Sequence, residues 1–134
     1  MIFLKSLKFV LKFKNILIAG GGAGYSLKVI ERLNFEKIFF YEINEELFEI
    51  ALANCNDKRV VFKNADLLKT YHNVDVIYMF NPFNLESFKQ LIKNTNSKYI
   101  IFRNFKFEED ASFEIIFGIN LYYTNYRVLK INHC

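Results

Sequence analysis

An α/β domain built on a mostly parallel sheet of about seven strands is what this sequence predicts, on three observations. Short apolar runs of strand length alternate with segments whose apolar residues recur at helical spacing. Three of the chain's five glycines, with a fourth close by, fall in one loop directly after the first apolar run. The last 22 residues change character and read as two consecutive strands, hence an antiparallel hairpin at or inside the sheet edge. The expected architecture has helices on both faces and is a minimal, abbreviated version of its class.

The elements follow in order. Residues 15–20 (NILIAG) form an apolar run bounded by glycine, as a strand buried on both faces should be. Residues 25–33 carry Leu27, Ile30 and Leu33 at helical spacing. Residues 37–43 (KIFFYEI) are a second strand and 45–54 (EELFEIALAN) a second helix, with Asn44 placed to cap it by accepting an orphan backbone N–H. Residues 59–63 (RVVFK) and 74–80 (VDVIYMF) are the third and fourth strands. Residues 85–93 form a helix with Leu85, Phe88, Leu91 and Ile92 on one face and Asn84 as its cap. Residues 98–104 (KYIIFRN) are the fifth strand, and 113–117 and 125–131 the final pair, joined through 118–124.

Composition narrows the class. At 134 residues, 52% hydrophobic and 18% aromatic, the chain suits one domain over 1–134 and can bury enough apolar surface to fold. No run approaches the roughly 20 uncharged apolar residues of a spanning helix, and Lys5, Lys8, Lys12 and Lys14 break up the N-terminus as a signal-peptide core. Residues 1–14 can instead form an amphipathic helix, packed on the sheet or docked on a membrane surface or partner. Two cysteines, Cys55 and Cys134, make no disulfide framework, so the cytoplasm is the expected compartment. The net charge of +4 permits an anionic partner, but no clear nucleic-acid motif accompanies it. His72 lies in a polar stretch (TYHNVD) and reads as surface; with His133 and Cys134 at the terminus, no metal site is expected.

The chemistry-bearing features lie where consecutive strands end. Gly20, Gly22 and Gly24 fit G-x-G-x-G in ILIAGGGAG, where glycine permits positive φ and close ligand approach, and a helix N-terminus follows. The nicotinamide-dinucleotide pattern would need a small residue at position 25, where Tyr25 stands. Glu42 closes the second strand about 20 residues on, suited to two ribose hydroxyls, or to a solvent-facing strand end. Asp66 follows the third strand in KNADLL, and Asn81-Pro82-Phe83 follows the fourth. Asn81 is equally readable as a turn residue before proline. Open α/β sheets bind ligands in this crevice.

Over about residues 15–103 this order of motifs resembles the class I S-adenosylmethionine-dependent methyltransferases, a Rossmann-like superfamily that also includes spermidine synthase-type enzymes. The resemblance implies S-adenosylmethionine as cofactor. It implies that Ala19, Gly20, Gly21, Gly22 and Gly24 hold the methionine part, that Glu42 with Ile43 binds the ribose, and that Ala65, Asp66 and Leu67 flank the adenine. Asn81, Pro82 and Phe83 would face the methyl group and its acceptor, with Asn81 also touching the cofactor. The family often carries an acidic residue two positions before the first glycine; here it is Ile18. The expected function is methyl transfer to an unidentified acceptor, which leaves open a small-molecule acceptor or a partner subunit that completes the site. A catalytically silent cofactor-binding module and an aminopropyltransferase are the alternatives. Tyr122, Tyr123 and Tyr126 belong either to strand packing or to a homodimer surface.

Overall fold

The structure, a computed structural model, describes residues 5, 8, 11–80, 84–121 and 124–133. Seven strands form one sheet: β1 (Asn15–Ala19), β2 (Lys37–Tyr41), β3 (Val60–Lys63), β4 (Val76–Phe80), β5 (Tyr99–Arg103), β6 (Phe113–Leu121) and β7 (Thr124–Ile131). Their spatial order is β3-β2-β1-β4-β5-β7-β6. The first five pair in parallel, and β7 enters antiparallel between β5 and β6. Three helices connect them: α1 (Tyr25–Ile30), α2 (Glu45–Ala53) and α3 (Leu85–Lys93). The strand order reverses between β1 and β4, which makes a crevice at their C-terminal ends.

Alternation along each strand divides the core into two layers. Ile16 and Ile18 of β1 point to the layer holding Leu27 and Ile30 of α1 and Ala51 of α2. Leu17 and Ala19 point the other way, to Phe88, Leu91 and Ile92 of α3. Helices therefore cover both faces. No helix follows β5; on that face Phe102, Phe105, Phe107 and Phe113 gather around Phe88, with ring centroids 5.2–5.9 Å apart. Rings at such separations attract one another, edge to face or, for Phe88 and Phe107, stacked, so these side chains fill the space a helix would occupy. At the N-terminus Leu11 packs on the α1 layer, and the Lys8 ammonium lies 5.4 Å from the centroid of the Phe35 ring.

The caps predicted from sequence are in place. Asn44 Oδ1 accepts the Leu47 N–H at 3.0 Å and Asn84 Oδ1 the Ser87 N–H at 2.8 Å. Three local readings differ. The first helix ends at Ile30 rather than residue 33, because the chain turns through 31–33 to reach β2. The segment assigned as the hairpin connection is strand through Leu121, with an irregularity between Ile115 and Phe117. Gly118 is a strand glycine there: a Cβ would lie 2.9 Å from Arg127 Cδ, whose side chain crosses it. His72 is buried, at 5% exposure, because its neighbour in space is the turn after α3. Its N–H donates to the Asn94 carbonyl at 2.8 Å.

At the opposite end of the sheet from the crevice, Arg59 fastens α1 to β3. Its guanidinium donates to the Leu33 and Phe35 carbonyls at 2.7 and 2.8 Å, and to the Glu31 carbonyl. Asp57 pairs with it at 2.6 Å. Hydrogen bonds from Arg59 hold the Asp57 carboxyl well below its ordinary 3.8, at about 2. The folded state thus binds this proton less readily than the unfolded chain. The stabilisation is complete above about pH 4 and drains away as the pH falls toward about 2. Asp57→Asn should therefore weaken the protein at neutral pH and flatten its acid unfolding curve between those values. Arg59→Ala should cost roughly 2–3 kcal/mol in urea unfolding, since it strips a charged donor from three carbonyls. Equal acid profiles for the parent and Asp57→Asn would refute the linkage.

Candidate functional site

The glycine loop is built by backbone conformation. Gly20, Gly22 and Gly24 all have positive φ, at 68°, 59° and 98°, a region that costs other L-residues about 1 kcal/mol or more. Gly21 is required for a different reason. A Cβ there would lie 2.8 Å from Phe40 Cδ2 and closer still to Cε2. Its N–H donates to the Tyr41 carbonyl at 3.0 Å, which stitches the loop to the end of β2. At Gly22, by contrast, a Cβ would meet no atom within 4 Å.

Glu42 joins the loop to the next strand end. It is 8% exposed, and both carboxylate oxygens are engaged: Oε1 accepts the Gly22 N–H at 2.7 Å and Oε2 the Asn44 N–H at 2.8 Å. A buried carboxylate needs such partners. It can accept about four hydrogen bonds in all, so two directions remain. Asn64 steadies the same segment, donating through Nδ2 to the Glu42 carbonyl at 2.8 Å and the Ile43 carbonyl at 3.2 Å. Ile43 itself is 67% exposed.

A cleft of about 300 Å³ opens at this point, lined by Gly20, Glu42, Ile43, Ala65, Asp66, Leu67, Asn84 and Ser87. Six of these are residues to which the sequence assigned cofactor binding. Of the others so assigned, Ala19 is buried beneath the cleft in the α3 layer, Gly21 is sealed against Phe40, and Gly24 begins α1 beside Ala51. Gly22 reaches the cleft through Glu42. Asn81, Pro82 and Phe83 lie outside the described residues, as do Tyr122 and Tyr123. Tyr126 packs on the α1 layer. Ile18, standing where an acidic residue is common, is buried in that layer as well.

Asp66 is occupied locally, its Oδ1 accepting the Leu68 N–H at 3.0 Å to cap the short helical turn Leu67–Lys69. His72 supports that turn from below. Its Nε2 lies 2.6 Å from the Leu67 carbonyl oxygen, and its ring meets Tyr41 edge-on at 5.0 Å between centroids. Sequence reading missed Asn64, His72, Asn84 and Ser87 as parts of the cleft's frame. Asn64, two residues before Asp66 at a strand end, and Asn84, read as the cap of the following helix, had local signals.

A scan against protein-family models and a search of curated proteins gave no match. Solved structures do match. The yhhF protein of Escherichia coli, a methyltransferase by inference, superposes with a TM-score of 0.76 at 13% identity, over 99% of this chain and 85% of that one. The ribosomal protein L11 methylase of Lactobacillus delbrueckii subsp. bulgaricus gives 0.71 at 15% identity, over 98% and 76%. The magnesium protoporphyrin IX methyltransferase of Synechocystis PCC 6803, solved with bound SAM, gives 0.72 at 12%, over 98% and 76%. At such identities the likeness is one of fold: this chain has the class I S-adenosylmethionine-dependent methyltransferase fold.

Proposed function

We propose that this chain binds S-adenosylmethionine in the cleft at the ends of β1, β2 and β3 and transfers its methyl group to an acceptor beside β4 and β5. The observation that carries this reading is the Glu42 carboxylate. It is held rigidly by two backbone donors, from the glycine loop and from the start of α2, and it borders the cleft with acceptor capacity to spare. Two vicinal ribose hydroxyls would use that capacity. The exposed Ile43 side chain offers an apolar surface to a purine, and Asp66 and Leu67 border the same space. The open side of Gly22 leaves room for the amino-acid tail near backbone donors.

The cofactor supplies an electrophilic methyl carbon on a sulfonium. The chain's part is alignment: it fixes the donor so that an acceptor atom can approach in line. A bond forms between that atom and the methyl carbon as the sulfur–carbon bond breaks, and the acceptor's proton departs to solvent. Asn81 would accept a hydrogen bond from the acceptor's N–H or O–H, and Phe83 would stack on a planar group. One observation favours the silent-module alternative: Ile18 is core, so the loop lacks the family's frequent carboxylate. We place the protein in the cytoplasm, on a sequence whose two cysteines make no disulfide framework.

Calorimetric titration should show S-adenosylmethionine and S-adenosylhomocysteine binding with dissociation constants below about 100 µM, and no binding of NAD. No heat at millimolar ligand would overturn the cofactor reading. With binding established, methyl-labelled cofactor and a cell extract should yield a labelled acceptor. Binding without any incorporation would establish the silent module instead.

A further inference from the structure

A row of side chains crosses the sheet at the C-terminal ends of its middle strands, beyond the cofactor cleft. Phe80 of β4, Arg103 of β5 and Tyr126 of β7 stand side by side in register, so they share one face of the sheet. It is the α1 face, because Tyr78, Ile101 and Val128, two residues away on each strand, pack in that layer. Just after β5 the chain leaves for the other side. Asn104 takes φ 59°, its N–H donates to the Asn125 carbonyl at 2.7 Å, and Phe105 enters the α3 layer. The segment following β5 therefore does not cover the row.

Among the described residues no carboxylate pairs with Arg103 there. Its guanidinium carbon lies 5.2 Å from the centroid of the Phe80 ring, and that ring is 40% exposed. Its Nε–H is buried and has no hydrogen-bond partner among the described residues. The ion pairs among those residues are Lys28–Glu31, Arg59–Asp57 and Lys89–Asp110, none involving Arg103. The guanidinium does reach the buried Tyr78 hydroxyl, which also meets Ser26 of α1. Burial pushes the Tyr78 phenol up, with Tyr126 adding to the rise, so the hydroxyl stays neutral and supplies no negative charge. A part-buried cation with an unmatched donor is costly unless something anionic completes it. The planar fork of a guanidinium matches the oxygens of a carboxylate or phosphate.

We propose that Arg103 binds the oxyanion of the methyl acceptor, a small molecule carrying a carboxylate or phosphate, with Phe80 against its apolar or planar part. The row stands at the end of β4, one residue before Asn81, so an anion held there places the rest of its molecule beside the donor. That the ligand is an acceptor rests on the methyl-transfer reading; anion binding at Arg103 does not.

The chain has four arginines, so side-chain Nε–H signals in a nitrogen–proton correlation spectrum are few, and Arg103→Lys identifies the one that disappears. Phosphate and benzoate are titrated separately, with and without saturating S-adenosylhomocysteine. The Arg103 signal should shift saturably with at least one anion, and which one responds tells phosphate from carboxylate acceptors. Arg103→Gln should weaken that binding by about tenfold or more while leaving cofactor affinity within about twofold. If neither anion moves the Arg103 signal although cofactor binds, the proposal fails alone. If an anion binds but cofactor does not, the anion site stands and the methyl-transfer reading falls.

Discussion

Glu42→Ala is expected to raise the dissociation constant for S-adenosylmethionine by about 100-fold or more. Hydrogen bonds to a charged group are each worth roughly 1.5–3 kcal/mol, and two to the ribose would be lost. The substitution also strips the Gly22 and Asn44 N–H groups of their acceptor, so the loop loses the tie that keeps it beside β2. A fall of about 1–3 kcal/mol in unfolding free energy should accompany the loss of binding. Glu42→Gln separates the two effects. It keeps one oxygen acceptor and the side-chain shape, so it should recover most of the stability and only part of the affinity. Calorimetry on the three proteins decides the matter, and an affinity for Glu42→Ala within threefold of the parent would remove Glu42 from the site.

The second large effect contrasts two neighbouring glycines. Gly21→Ala should destabilise the fold by about 3 kcal/mol, at the upper end of overpacking penalties. The new methyl would run into the Phe40 ring, and Phe40 is fully buried and flanked by Phe62 at 5.3 Å, so neither can retreat freely. Gly22→Ala has empty space around its Cβ and should cost only about 1 kcal/mol, from its positive φ. That methyl would stand on the open side of the loop, so its effect should appear as weaker cofactor binding instead. Unfolding curves and titrations of both variants test the contrast. A Gly22→Ala protein less stable than Gly21→Ala would show that the loop is built differently.

The features legible in the sequence were those written locally. A strand buried on both faces is a continuous apolar run, a cap is an asparagine before a helical period, and a strand-to-helix turn with positive φ is a glycine. Those signals fixed the five parallel strands, the Asn44 and Asn84 caps, and the alignment of Gly20, Glu42 and Asp66 along one end of the sheet. What escaped depends on residues far apart in sequence. His72 looks polar and exposed among its neighbours, yet Asn94 and Thr95 close over it from more than 20 residues away. Gly118 resembles a turn residue until Arg127 is seen lying across it. Arg103 carries no local signal beyond its place in the fifth strand; only the register that sets Phe80 and Tyr126 beside it marks the row. The aromatic filling after β5 was equally hidden, since a segment too short for a helix does not announce what replaces it.

The sheet order has a consequence for synthesis of the chain on the ribosome. Because β7 lies between β5 and β6, the backbone groups along one side of β5 wait for a strand made after β6. Until it emerges, the nascent protein has a complete parallel half ending in an open apolar edge, the kind of edge that recruits other chains. β6, although translated earlier, has no seat in the sheet without it. The glycine loop and the cleft beside it can thus assemble early while the antiparallel half that bears Tyr126 is still missing, and the eight-residue β7 then closes the open edge of β5.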